Sequence, residues 1–229
     1  MEQKLILFDI DKTLVKEMEH SSNPWPQAFE SVYGIKCGIT ISQASSHGMT
    51  HKQIAIETLK NQGLKEGEIF KKMNLFIKTL EKIYKKSLEN GKITLFPKIP
   101  ELLQKISKKK HVLGLITGNT KEIAFAKLKM AKIDKFFSIG GFGDDSANRE
   151  ELIKLALERA EEKYHFQFDE KKIFVIGDTP KDIIPAKKFH LQTIGVATGL
   201  YSKSQLKESG ADFVLNNLED IDKVLSIIG

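Results

Sequence analysis

Two aspartates one residue apart, Asp9 and Asp11, stand where the apolar run Leu5-Ile6-Leu7-Phe8 ends. Carboxylates this close repel each other, and beside an apolar segment their charge is costly unless a cation or a proton resolves it. The pair reads as a cation site or an acid/base pair; the plainer reading is an acidic turn with Thr13 as a helix cap. Three further stretches offer related chemistry. Thr117-Gly118-Asn119 follows the apolar Leu113-Gly114-Leu115-Ile116. A hydroxyl and a glycine N–H at such a turn can hold a phosphate oxygen, although Thr-Gly also serves as a plain turn. Gly177-Asp178-Thr179-Pro180-Lys181-Asp182 sets two carboxylates four residues apart. They can face one way around the first turn of a helix, or simply cap and solvate it. In Gly141-Phe142-Gly143-Asp144-Asp145-Ser146-Ala147-Asn148-Arg149, an arginine opens a helix, from where its guanidinium can reach an anion. Together these groups suit a hard, oxygen-liganded cation such as Mg2+ that clamps a phosphate.

Each of these stretches needs a strand to end at it. Residues 5–8 are apolar throughout, as in a strand buried on both faces of a parallel sheet, and ligands of such sheets bind outside the carboxyl ends of the strands. From residue 97 onward strand and helix patterns alternate: helix 97–109, strand 112–116, helix 121–131, strand 136–139, helix 149–164, strand 173–176, helix 180–189, strand 192–196, strand 213–215 and helix 218–228. That alternation predicts right-handed crossovers and a doubly wound, mostly parallel α/β sheet covered on both faces. Residues 16–92 differ. Pro24 and Pro26 start a helix stopped near Gly34, residues 43–48 are loop-like, Thr50 caps a second helix, and a longer one carries Ile69, Met73, Phe76, Leu80 and Tyr84 at helical spacing. We expect an all-helical cap over 16–92, inserted into an α/β core made of 1–15 and 93–229.

A chain of 229 residues can bury a full core, and its 41% hydrophobic and 29% charged content is ordinary for a soluble protein. A net charge of +6 favours anionic ligands, but the lysines alternate with glutamates as on solvated helix faces, so no nucleic-acid module is expected. The single cysteine, Cys37, excludes an internal disulfide and suits a reducing compartment. No signal-peptide pattern and no membrane-length apolar run is seen, so the cytoplasm is the default.

The order Asp9-Ile10-Asp11-Lys12-Thr13, Thr117-Gly118 and Gly177-Asp178-Thr179-Pro180-Lys181-Asp182 resembles the haloacid dehalogenase (HAD) superfamily, most of all its phosphoglycolate-phosphatase-like branch with a helical cap. The resemblance covers nearly the whole chain. It implies Mg2+-dependent hydrolysis of a small phosphorylated metabolite through an aspartyl-phosphate. Asp9 would be the nucleophile, and Asp11 the acid and then the base. Thr117, the Gly118 amide, Asn119 and Arg149 would surround the phosphate. Asp9, the Asp11 carbonyl and Asp178 would hold the metal, with Asp182 ligating or supporting it. A carboxylate nucleophile splits hydrolysis into two steps, and a metal offsets charge on the transferring group. Asp11 can act as the acid only with a lifted pKa. Two positions depart from the family pattern: Lys12 stands where glycine is commoner, and Arg149 is the best match to a usual lysine, with Lys127, Lys129 and Lys154 as alternatives.

A phosphomutase of the beta-phosphoglucomutase type shares these core residues and is the nearest rival. A non-enzymatic phosphate- or partner-binding protein would be expected to lack a core carboxylate. A dehalogenase needs neither Asp11 nor a metal, and a receiver domain would be shorter. Specificity is expected from the cap, with His47 and Thr50 as candidates beside His20, Met49 and Lys52. The two connections to the cap are expected to hinge, with the 47–50 loop reaching the substrate. Neither the ester nor an oligomeric state is specified by these residues, and no membrane or nucleic acid is expected as a partner.

Overall fold

A computed structural model describes residues 3–229, apart from the side chains of Gln43 and Ala44. Its centre is β1 (Leu5–Phe8), every residue of which is buried. Around it lie β4 (Val112–Ile116), β5 (Ile139–Gly141), β6 (Ile173–Gly177), β7 (Gln192–Val196) and β8 (Phe213–Leu215), in the order β5-β4-β1-β6-β7-β8. All five pairings are parallel. Residues of β1 alternate between two cores: Ile6 and Phe8 join a cluster with Leu102, Leu115 and Val224, and Leu5 and Leu7 one with Leu152, Ala156 and Val175. A strand buried on both faces has no polar alternation, which is why its sequence reads as a continuous apolar run.

Helices cover both faces: α5 (Ile99–Lys108), α6 (Lys121–Met130), α7 (Arg149–Tyr164), α8 (Pro180–Lys188) and α10 (Ile221–Ile228). Their starts follow local chemistry. Thr120 accepts from the Ile123 amide at the start of α6, and Asn148 from the Glu150 amide at the start of α7. Pro180 opens α8, where its missing N–H would have had no helical partner.

The chain between β1 and α5 forms α1 (Pro24–Tyr33), α2 (Gln43–Ser46), α3 (His51–Asn61) and α4 (Glu66–Leu88). These helices have their own core, including Trp25, Phe29, Leu59, Phe76 and Leu80, which also takes in Ile123 of α6. Gly34 ends α1 in the left-handed region, at φ 73°, which glycine adopts without a Cβ penalty.

Some elements differ from the sequence reading. The segment 16–92 is not all-helical: residues 16–19 and Lys92 belong to an antiparallel pair of strands, β2 (Val15–Glu19) and β3 (Lys92–Leu95). The chain leaves and re-enters the sheet region side by side, so their backbone groups satisfy each other. Part of the loop-like 43–48 segment is the single helical turn α2, and the strand expected at 136–139 begins at Ile139, after a 3-10 turn over Asp134–Phe136. A short helix, α9 (Lys203–Glu208), separates β7 from β8; its signal is the capping box of Ser202 with Gln205.

Candidate active site

Neighbouring strands deliver the polar residues to one line. The Asp9 amide donates to the Ile176 carbonyl at 2.9 Å, so β1 stays in register with β6 one residue beyond the strand and Asp9 lies near Asp178. On the other side, β4 runs into Thr117, whose amide donates to Gly141 at 3.1 Å. β1 sits between β4 and β6 where the strand order reverses, the place where such sheets leave a crevice at their carboxyl ends.

Asp9, Asp178 and Asp182 are buried, and each offers an oxygen within 4.8 Å of the others'. Burial raises Asp9's carboxyl well above the usual carboxylate range; the Asp182 charge adds to this, and Arg149 opposes it. Asp178 is raised as well, mainly by burial, although His47 Nε2, 2.9 Å from its Oδ2, works the other way. Two carboxyls pushed toward their neutral forms beside a third buried carboxylate fit a divalent cation, whose charge would favour their ionised forms. The donor set is all oxygen, as Mg2+ prefers.

Asp182 is the most committed of the three. One of its oxygens pairs with Arg149, and the other accepts from the Thr179 amide at 3.1 Å and the Thr179 hydroxyl at 2.8 Å. That occupancy fits a supporting role better than direct ligation. Asp178 is steadied by the Thr13 hydroxyl at 3.4 Å.

Arg149, 6% exposed at the start of α7, reaches across this cluster. Its Nη2 is 3.5 Å from Asp9 and also pairs with Asp182, while Nη1 donates to the Gly48 carbonyl at 2.8 Å. Of the alternatives to Arg149, Lys154 is exposed, and Lys127 is buried but turned to Asp11.

Asp11 forms a second pole. Lys127 Nζ donates to both its oxygens, at 2.8 and 2.7 Å, and Asn119 Nδ2 to one of them at 2.7 Å. Burial alone would raise this carboxyl, but the Lys127 charge and these hydrogen bonds lower it. The same Asn119 nitrogen donates to the Thr117 hydroxyl at 2.8 Å, which ties the Thr117-Gly118 turn to Asp11. The lifted acid that the sequence chemistry calls for is therefore not the state of Asp11 in this structure. Reading the sequence missed this role of Lys127, although a signal was there. Ile123, Ala124 and Leu128 make the buried stripe of α6, and Lys127 falls inside it.

The inserted helices close over the site through residues 45–52. Lys181 Nζ donates to the Ser45 and His47 carbonyls at 2.7 and 2.8 Å, the His51 amide to the Gly118 carbonyl at 2.8 Å, and Lys52 Nζ to the Asp144 carbonyl at 2.6 Å. Backbones approach so closely here that a Cβ on Gly118 would collide with the Met49 carbonyl. The resulting cavity of about 190 Å3 is lined by Asp9, Asp11, His47, Thr117, Arg149 and Asp178 among others.

His47 and Met49 line this cavity, whereas Thr50 is turned to capping α3 through the Gln53 amide, and Lys52 to the core. His20 lines a separate cavity of about 490 Å3 with Trp25, Tyr84 and His51, and His51 borders both. Lys12 turns outward to the Lys16 carbonyl; its φ of 61° explains why glycine suits this position. Among the described residues, no helix is long and apolar enough to cross a membrane.

Residues 6–196 match the family described as haloacid dehalogenase-like hydrolase. A pyrophosphatase PpaX of Oceanobacillus iheyensis is 24% identical over 140 residues, which are 60% of this chain and 61% of that protein. The chain thus aligns with about three fifths of the length of the pyrophosphatases it matches. A phosphoglycolate phosphatase of Vibrio parahaemolyticus is 23% identical over 98% of this chain and 96% of its own. A solved structure described as a predicted phosphoglycolate phosphatase from Haemophilus somnus superposes with a TM-score of 0.68, at 20% identity, over 98% of this chain and 99% of that one.

Proposed function

We propose that this chain, which belongs to the haloacid dehalogenase-like hydrolase family, hydrolyses a small phosphate monoester in two steps through an aspartyl-phosphate on Asp9. The observation that carries this is the buried meeting of Asp9, Asp178 and Arg149 in one cavity with Thr117 and Gly118, with Asp182 paired to Arg149 beside them. In the first step an Asp9 oxygen attacks phosphorus, the bond to the ester oxygen breaks, and the leaving alcohol takes a proton from Asp11, whose carboxyl the negative charge of the bound phosphoryl group would raise against the pull of Lys127. In the second, Asp11 removes a proton from water, the water oxygen attacks phosphorus, and the bond to Asp9 breaks to release phosphate. The Thr117 hydroxyl, the Gly118 amide and the Arg149 guanidinium would take the equatorial oxygens, where charge collects. Asp9, Asp178 and the Asp11 carbonyl would hold Mg2+, with Asp182 in support; bound there, it would neutralise charge on the phosphoryl group.

We read residues 16–92 as a cap on a core of 1–15 and 93–229. The hydrogen bonds from Lys181, Arg149 and His51 to residues 45–48 and 118 support closure of that cap over Asp9. Closure excludes bulk water and brings His47 against Asp178. The single cysteine supports a reducing, cytoplasmic setting.

The test is phosphate release from a panel of phosphorylated metabolites with Mg2+, with 2-phosphoglycolate and pyrophosphate included. At least one small monoester should turn over, and Asp9→Asn should reduce that turnover by several orders of magnitude with the fold unchanged. Turnover of the Asn variant within about tenfold of wild type would remove Asp9 from the chemistry.

A further inference from the structure

The Lys127–Asp11 pair is unusual for where it lies. The Lys127 side chain is 3% exposed, and its Nζ stands 5.6 Å from the Tyr84 ring centroid. The Asp11 side chain is 43% exposed and lines the reaction cavity. Taking an ammonium out of water carries a large desolvation penalty, and an apolar residue of similar volume commonly replaces a buried pair at little cost to stability. Ile123, Ala124 and Leu128 beside it would accept such a residue. A lysine here therefore does something that a methionine would not.

What it does is written in the contacts. One Asp11 oxygen accepts from Lys127 alone, and the other from Lys127 and Asn119. Three hydrogen bonds from two donors fix the orientation of the carboxylate where it lines the cavity. Asn119 is itself pinned to Thr117, so the lysine and the phosphate turn hold Asp11 between them. We infer that Lys127 is a positioning residue for Asp11: from α6 it sets the acid/base carboxylate at the leaving-group side of the cavity. The inference rests on the two-step reading above and deepens it.

If Lys127 acts through Asp11, its loss should follow the leaving group's need for a proton. An alkoxide is a poor leaving group and needs the acid; a nitrophenolate departs without one. The value of kcat/KM covers only the steps up to departure of the leaving group, so the later use of Asp11 as a base does not enter it. The experiment compares an alkyl phosphate, the best monoester of the panel, with p-nitrophenyl phosphate in Lys127→Met, Asp11→Asn and the double variant. Lys127→Met should lower kcat/KM for the alkyl ester about 100-fold, within the range of general acid catalysis. For the aryl ester the loss should stay below about threefold, with KM for both esters near wild type. In the Asp11→Asn background, Lys127→Met should add less than about twofold, as expected of residues that act as a unit. Lys127→Gln, which keeps a donor and drops the charge, replaces the Met variant if that one does not fold. Equal losses on the two esters, no loss on either, or losses that multiply with Asp11→Asn would overturn the inference and leave the reading of Asp9 standing. A wild-type protein that hydrolyses neither ester would overturn both.

Discussion

Arg149 reaches two carboxylates and a carbonyl of the inserted helices from one buried position. Removing it leaves Asp9 and Asp182 facing each other with no compensating charge, and loss of one partner of a buried pair costs about 3–5 kcal/mol. We expect Arg149→Ala to be destabilised on that scale and to bind phosphate weakly. Lys154→Ala, on the exposed face of α7, should change neither. Chemical denaturation and phosphate titration of the two variants check this, and a reversal would move the cationic role off Arg149. His51 makes a different case. Burial, with Lys127 adding to it, pushes its imidazole down from 6.5 to about 3, so the folded protein keeps it neutral. Below pH 6.5 the unfolded chain binds the proton and the folded one does not, so this stabilisation is complete above 6.5 and is lost as pH falls toward 3. For one fully buried group the loss approaches about 1.4 kcal/mol per pH unit. The stability of wild type relative to His51→Asn should therefore shrink between pH 7.5 and 5. Parallel pH profiles for the two proteins would show that His51 titrates in the fold as it does outside it.

At the scale of elements, the segment joining α2 to α3 is what seals the site. Gly48 stands there at φ 74°, and a Cβ on it would sit 2.7 Å from the Thr179 hydroxyl. That hydroxyl donates to Asp182 and holds the start of α8, so crowding it disturbs a helix start and a site carboxylate together. The left-handed backbone alone costs a non-glycine residue about 1–2 kcal/mol. Gly48→Ala is therefore expected to lose about that much in denaturant unfolding, and to raise KM for the best ester. Unchanged stability would mean that this segment is not packed against α8 in solution. The pairing of β2 with β3 places the two connections side by side at the root of the inserted helices, where a hinge would lie.

For the whole molecule, the decisive feature is a net charge of +6 folded around a buried, acid-rich centre. Asp9 and Asp178 are both pushed toward their neutral forms. A cation that binds the folded state and not the unfolded chain stabilises it in proportion to the logarithm of its concentration, by about 2.7 kcal/mol at 100 times Kd. Millimolar Mg2+ should raise the melting temperature and EDTA should remove the gain. Asp178→Asn should abolish the shift, whereas a substitution at exposed Lys154 should leave it intact. A wild-type melting temperature indifferent to Mg2+ and EDTA would argue that these carboxylates hold no divalent ion.

The sequence alone located the strand ends at which polar residues gather, because a strand buried on both faces is a continuous apolar run and the first polar residues after it mark its end. Asp9, Thr117 and Asp178 were legible in that way, and so was the parallel α/β order, since strand and helix periods alternate from residue 97 onward. Arg149 was legible as a helix-opening cation after the Gly-Asp-Asp turn, but its reach to Asp9 and Asp182 depends on how α7 and α8 pack. Only the tertiary structure decided what lies between elements distant in the chain. Lys127 meets Asp11 across 116 residues, His47 meets Asp178 across 131, and Lys181 meets the carbonyl of Ser45 across 136. No local propensity or spacing encodes such contacts. They arise because the inserted helices and the sheet bury their apolar faces against each other, and the polar groups left at that seam must find partners there.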